Sequence, residues 1–267
     1  MKKDEKRAVG TSLAECVGCL LWLALGVGAS CGGGDGSRVT SVEYERLTVD
    51  EGLDGDVDSA LTAVLAPYKA CVDSLMCPVV GSSASEMSAY RPESELSNLL
   101  ADILVDAAER IGQRADFGIY NMGGIRAALP KGTVTRGDVL DVAPFENKLC
   151  IATLSGEAVM QLFENIAASG GEGVSASVRL QIGGDGTLKS ALLRGEEIVP
   201  TAQYHVATLD YLAQGNDGLT AFKQATKLRT MDGDDYNVRY IIERYFIRAM
   251  ESGKQVEGAV EGRITVR

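Results

Sequence analysis

The chain has 267 residues, 45% hydrophobic and 24% charged, a globular composition with enough apolar material for a sizeable core and too much for wholesale disorder. Its 26 Lys and Arg stand against 37 Asp and Glu, a formal net charge of -11. This argues against a nucleic-acid partner, whose phosphate backbone is bound through clustered cations, but not against a small anion, for which two or three placed arginines and backbone amides suffice.

Lys2, Lys3, Lys6 and Arg7 precede an apolar run over 17–29. The run is shorter than the ~20 apolar residues a bilayer span needs, so residues 1–30 read as an export signal. Gly28, Ala29 and Ser30 lead into Cys31, and the pattern looks like a bacterial lipoprotein signal with Cys31 lipidated as the first mature residue. The alternative is an ordinary cleaved signal or a short anchor helix. The expected location is the bacterial cell envelope, periplasmic or surface-facing, with the membrane reached through the lipid. Residues 31–41 are Gly-rich and polar, a flexible tether, and 42–267 read as the folded domain. Cys71, Cys77 and Cys150 remain in that domain. Cys71 with Cys77 is the nearest pair for a disulfide, with the pairing left open, and no C-x-x-C survives to suggest a cysteine zinc site.

Within the domain, Leu61, Val64, Leu65, Tyr68, Val72 and Leu75 follow helical spacing over 56–76, with Pro67 expected to kink or interrupt the helix. The clearest helix spans 95–111, where Leu96, Leu99, Leu100, Ile103, Leu104 and Ala107 form one stripe behind Ser94 as N-cap. A strand over 117–120 exits into a turn at Gly123 and Gly124. A strand over 148–154 leads to Ser155, which caps a helix through 168 that ends at Gly170 and Gly171. Strands over 178–182 and 188–193 flank Gly183, Gly184, Asp185 and Gly186, a hairpin signature. A strand over 203–210, a helix over 236–250 and a closing strand over 263–266 complete the pattern. Hairpins mixed with separated helices predict α+β layers, not a doubly wound parallel sheet, and no internal repeat is visible.

The only histidine is His205, placed in a strand pattern without a second imidazole at ligand spacing. A histidine-rich dinuclear metal site is therefore not available in these residues, and His205 reads as structural or surface. Two Gly-rich turns are the candidate ligand sites. Asn121, Met122, Gly123, Gly124, Ile125 and Arg126 follow a strand, so freed backbone amides and the Arg126 guanidinium suit an anion. Gly215, Asn216, Asp217 and Gly218 follow another, and Asp217 there suits two adjacent hydroxyls. Both also fit as tight turns with local hydrogen bonding. Phe145 and Tyr211 fit equally as core aromatics, and Glu93, Ser94 and Asn98 as capping and packing groups.

Four stretches occur in order: the run from Arg91 to Asp102; Asn121-Met-Gly-Gly-Ile-Arg-Ala-Ala-Leu-Pro130 with Gly132 and Thr135; Pro144-Phe-Glu-Asn147; and Tyr204 through Gly218. Together they resemble the C-terminal domain of the 5′-nucleotidase and UDP-sugar hydrolase family over nearly all of 42–267. The resemblance implies a layered α-β-β-α domain with mixed sheets and hairpins that binds the nucleotide. A separate N-terminal metallophosphoesterase domain holds two metals and performs hydrolysis. It further implies that Phe145 and Tyr211 sandwich the base and Asp217 accepts the ribose hydroxyls. Asn121, Arg126 and Arg91 would steer the phosphates beside Gly123 and Gly124. The family pattern has glycine where Met122, Glu146 and Asn216 stand, and more often Phe where Tyr211 stands.

The expectation is a nucleotide-recognition half without a complete catalytic site or metal of its own. Its ligand is a nucleotide or nucleotide sugar, and a separate metallophosphatase chain supplies the divalent metals. The rivals are a stand-alone surface protein that binds or scavenges nucleotides, and a scaffold whose departures from the pattern have abolished binding.

Overall fold

The computed structural model describes residues 41–46 and 58–267. The basic start, the apolar run, Cys31 and most of the tether lie outside the described residues. Residues 41–46 are exposed and without regular structure, and 58–267 form one compact unit. No helix among the described residues is long and apolar enough to cross a membrane.

The unit opens with α1 (Ser59–Met76), N-capped by the Asp58 carboxylate. This helix runs through Pro67 without the interruption that was one of the expected outcomes. No residue of α1 is buried, so the Ala63 carbonyl that loses its Pro67 partner faces water instead of an apolar wall. Cys71, Cys77 and the buried Cys150 are all free thiols. Six positions along a helix turn Cys71 and Cys77 onto different faces.

Three sheets follow. Strand β1 (Val79–Ser83) pairs with β3 (Gly132–Thr135) in a two-stranded antiparallel ribbon. The central sheet has the order β10-β4-β9-β2-β5, with β2 (Phe117–Tyr120), β4 (Leu149–Ser155), β5 (Gly173–Val174), β9 (Gln203–Leu209) and β10 (Lys227–Thr230). Only its β2–β9 pair is parallel. The third sheet has the order β11-β6-β7-β8, with the expected hairpin of β6 (Val178–Ile182) and β7 (Leu188–Leu193) at its centre. It also contains β8 (Glu196–Glu197) and β11 (Ile264–Val266).

Helices cover both faces of the central sheet. In α2 (Glu95–Arg110), Ser94 and Ser97 form a reciprocal capping box, and Leu96, Leu99, Leu100, Ile103 and Leu104 are buried. Helix α4 (Gly156–Ala168) is capped by Ser155 as expected. Neighbouring residues of β2 show which face each helix takes. The Phe117 ring packs on Phe163 of α4 at 5.4 Å, whereas a Cβ on Gly118 would come within 2.4 Å of the Ala101 carbonyl of α2. Successive strand residues point to opposite faces, so α2 and α4 lie on opposite sides. The short α3 (Arg136–Val142), the one-turn α5 (Asp210–Ala213) and α6 (Val238–Glu251) complete six helices among the described residues. The α6 face of Val238, Ile241, Ile242 and Phe246 is buried, and the fold is the α+β type with mixed sheets and hairpins.

Candidate functional site

The site is built where three neighbouring strands end together. Strands β2 and β9 run parallel and finish at the same edge of the central sheet, and β4, antiparallel to β9, begins there. The turn after β2, the loop before β4 and the segment after β9 therefore meet, bringing Asn121, Phe145 and Tyr211 together from distant parts of the sequence. Asp210 fastens two of them. Its Oδ1 accepts the Lys148 amide at 3.0 Å and the Tyr211 amide at 2.8 Å, tying the loop that carries Phe145 to the start of α5.

A cavity of ≈ 230 Å³ opens between these loops, lined by Asn121, Gly123, Gly124, Phe145, Asn147, Tyr211 and Asp217. Phe145 is 46% exposed and Tyr211 39%. Neither is a core aromatic. Asp217 carries the one formal charge among the lining residues, and no lining residue is cationic.

Asp217 adopts a left-handed backbone, φ 53°, between the left-handed Gly215 and Gly218. An aspartate tolerates this conformation better than most side chains, and such positions recur where a side chain must be aimed. Tyr211 donates its hydroxyl to Oδ1 at 2.9 Å, and the Asn121 amide donates to Oδ2. Asn216 steadies the loop by donating Nδ2 to the Tyr211 carbonyl at 2.8 Å, a contact that glycine there would lack. The Tyr211 hydroxyl pKa is raised, first by its hydrogen bond to Asp217 and then by that carboxylate's charge.

The glycines have separate reasons. A Cβ on Gly124 would stand 2.6 Å from Asn121 Oδ1, so that position must stay bare for Asn121 to reach Asp217. A Cβ on Gly123 would meet nothing nearer than 3.6 Å. Asn121 is 3% exposed, and its Oδ1 is buried with no hydrogen-bond partner among the described residues. The Asn121 side chain therefore holds one buried acceptor unsatisfied behind Gly124 while its amide reaches Asp217.

The two expected phosphate arginines do not line the cavity. Arg126 is exposed, with Nη1 3.4 Å from the Gly123 carbonyl. Arg91 sits behind the turn, donating Nη1 to the Gly171 carbonyl at 2.8 Å and Nη2 to Glu172 at 2.6 Å. Glu172, in turn, accepts the Met122 amide at 2.5 Å. An Arg91–Glu172–Met122 relay thus braces the turn that presents Gly123 and Gly124. Burial raises the Glu172 pKa, with the Asp217 charge adding to it, while the Met122 amide and Arg91 pull the other way. Sequence reasoning singled out neither Glu172 nor Asn147. The available signals were a carboxylate set among Gly170, Gly171 and Gly173, and the closing Asn147 of the segment that carries Phe145.

The described unit is thus a mixed α+β domain with two exposed aromatics around a carboxylate at converging strand ends. More narrowly, the chain belongs to the family described as 5'-nucleotidase, C-terminal domain, which matches residues 77–224. It is 31% identical over 187 residues to the trifunctional nucleotide phosphoesterase protein YfkN of Bacillus subtilis, covering 64% of this chain and 12% of that one. It is 32% identical over 169 residues to protein UshA of Yersinia enterocolitica, covering 60% and 30%. The chain therefore spans under a third of either relative's length. It superposes on the 5'-nucleotidase precursor from Thermus thermophilus with a TM-score of 0.64 and 27% identity, over 78% of this chain and 42% of that one.

The two metals that the family's hydrolytic domain implies do not fit here. No group of three His, Cys, Asp or Glu among the described residues is placed to hold a metal ion, and the sequence has one histidine.

Proposed function

We propose that this chain is the nucleotide-recognition half of a 5'-nucleotidase-like hydrolase. The base inserts between Phe145 and Tyr211, and the ribose hydroxyls bind Asp217. The observation that carries this reading is the pairing of two exposed aromatic faces with one aimed carboxylate in a cavity free of cations. Aromatic faces stack on bases for ~1 to 3 kcal/mol each, and an ionised carboxylate is an acceptor suited to a diol. The cavity is also smaller than the ~300–1,000 Å³ of typical ligand pockets, enough for a nucleoside whose phosphates project outward. Those phosphates leave past the Gly123–Gly124 turn, with Arg126 at its exposed end.

Hydrolysis then requires a metallophosphatase partner that brings divalent metals and activated water to the projecting phosphate. This chain contributes position, not chemistry. The basic start, the short apolar run and Cys31 support export and lipid anchoring in a bacterial cell envelope; fatty-acid labelling lost in Cys31→Ala would establish the anchor, and unlabelled wild type would refute it. A stand-alone nucleotide-binding protein is the second reading.

Calorimetric titration with AMP, adenosine and UDP-glucose tests the pocket. Saturable binding lost in both Phe145→Ala and Asp217→Ala is the expected result, and no binding by folded wild type refutes it. The partner is tested by mixing the chain with candidate metallophosphatases. Faster nucleotide hydrolysis than the metallophosphatase gives alone supports the first reading, and binding without acceleration supports the second.

A further inference from the structure

We propose that the opposite end of the central sheet carries a second ligand site, an oxyanion site for a small phosphate group. Strand register builds it. Lys227 of β10 lies opposite Thr153 of β4, which lies opposite His205 of β9, and Arg229 follows two residues after Lys227 on the same side. This is the face that α2 covers near Gly118, because Gly118 pairs with Ala207 and Ala207 shares its side with His205. Helix α2 ends at Arg110, and beyond it the β4–β10 end of that face is left open. A cavity of ≈ 200 Å³ occupies the gap, lined by Gln113, Arg114, Thr153, His205, Lys227 and Arg229 with the side chain of Ile151.

The cavity holds three cations and the chain's only imidazole, although the chain as a whole carries -11. One carboxylate stands behind them. Asp116 is 4% exposed and already fully engaged: Oδ1 accepts from Arg114 at 2.9 Å, and Oδ2 from the His205 amide at 2.8 Å, with His205 Nδ1 3.3 Å away. Asp116 thereby fixes Arg114 and the imidazole in place and offsets one positive charge. Lys227 and Arg229 take part in no salt bridge among the described residues, and Arg229 is oriented by Gln113 at 2.9 Å. A held guanidinium fork, a free ammonium and a hydroxyl facing one small cavity match the several oxygens and double charge of a phosphate group. His205 lies four residues before the end of β9, about 13 Å at ~3.3 Å per residue from the edge where the first pocket opens, and the two cavities share no lining residue.

The alternative is that Lys227 and Arg229 merely guard an edge strand against pairing with another chain. Imidazole proton NMR separates the two, because the single histidine gives one resolvable ring. The full chain is titrated with inorganic phosphate and, separately, glycerol 3-phosphate, at constant ionic strength set with chloride. The expected result is a saturable shift of the His205 ring, weakened at least tenfold in Lys227→Gln/Arg229→Gln and unchanged in Asp217→Asn. Saturation by phosphate alone identifies the free ion as ligand, and saturation by both identifies the phosphoryl group. A ring that does not shift, a linear response equal to that of added chloride, or a shift retained in the double variant overturns the site. Both side chains are exposed, so the double variant is expected to melt with wild type; if it does not, Lys227→Gln alone carries the comparison.

Discussion

The Tyr211 hydroxyl donates to Oδ1 of Asp217 at 2.9 Å while Asn121 occupies Oδ2, so both oxygens of the pocket carboxylate already face a protein donor. Each oxygen keeps a further acceptor lone pair, and the Tyr211 hydroxyl competes with the proposed ribose diol for Oδ1. Tyr211→Phe keeps the stacking face and removes the competitor, so adenosine affinity is expected to rise at least about twofold, the low end of one hydrogen bond. Calorimetry decides; weaker binding in the Phe variant would mean that the hydroxyl contacts the ligand.

Phe145 is half-exposed, so Phe145→Ala is expected to leave stability within about 0.5 kcal/mol of wild type. Nucleoside affinity should fall by ~1 to 3 kcal/mol, about 5- to 150-fold, if the ring stacks on the base. Parallel melts and titrations separate the two effects. A large fall in melting temperature would make Phe145 a packing residue.

Gly123 and Gly124 offer a matched pair. Gly124→Ala places a methyl where Asn121 Oδ1 now lies, 2.6 Å from the new Cβ, and should turn Asn121 off Asp217 and weaken binding about tenfold. Gly123→Ala has its nearest contact at an ordinary 3.6 Å and should bind within about threefold of wild type if the ligand leaves room there. Equal affinities for both variants would show that the Asn121–Asp217 contact is not needed.

Arg91→Ala should cost stability as well as disturb the turn. Glu172 would remain buried without its cation, and because Arg91 is itself 39% exposed a discounted loss of about 1–2 kcal/mol is expected. The sign with pH follows from the raised Glu172 pKa. Stability linked to a raised carboxyl is present below its unfolded value and lost as pH rises through the folded one, and removing Arg91 raises it further. The variant's deficit should therefore grow from pH 4 to pH 7 in urea unfolding, and a deficit constant with pH would contradict the relay.

Asp116 should show the opposite sign. Burial opposes its ionisation, yet the His205 amide and the Arg114 guanidinium outweigh burial and hold its pKa below the ordinary carboxylate value. Its contribution is present above that value and lost as pH falls through the folded one. Asp116→Asn is expected to cost about 2–3 kcal/mol at pH 7, with the gap closing toward pH 3. Urea unfolding at both pH values measures it, and a gap that held constant or widened on acidification would contradict the lowered pKa.

Much of the fold was legible because its signals are local. Ser94 and Ser155 cap the helices that were expected behind them, Phe117–Tyr120 is the expected strand, and the glycines from Gly183 to Gly186 turn the expected hairpin. Strands β1, β3 and β10 were missed, since Gly, Ser and Thr dilute the apolar signal of β1 and β3, and β10 alternates charge. Pro67 does not interrupt α1, where the Ala63 carbonyl it leaves without a partner lies on an exposed helix.

For the site, sequence by itself supplied the parts: two Gly-rich turns, Phe145, Tyr211 and Asp217, together with the scarcity of histidine that denies these residues a histidine-rich metal centre. Tertiary structure decided which of those parts meet. Only the parallel pairing of β2 with β9 brings Asn121 within reach of Asp217, 96 positions later. Only packing turns Arg91 back onto Glu172, and only cross-strand register collects Lys227, Thr153 and His205 on one face. Capping and turn formation are fixed by neighbours a few bonds apart, whereas a side chain's partner across the fold depends on strand order and register, which no local pattern encodes.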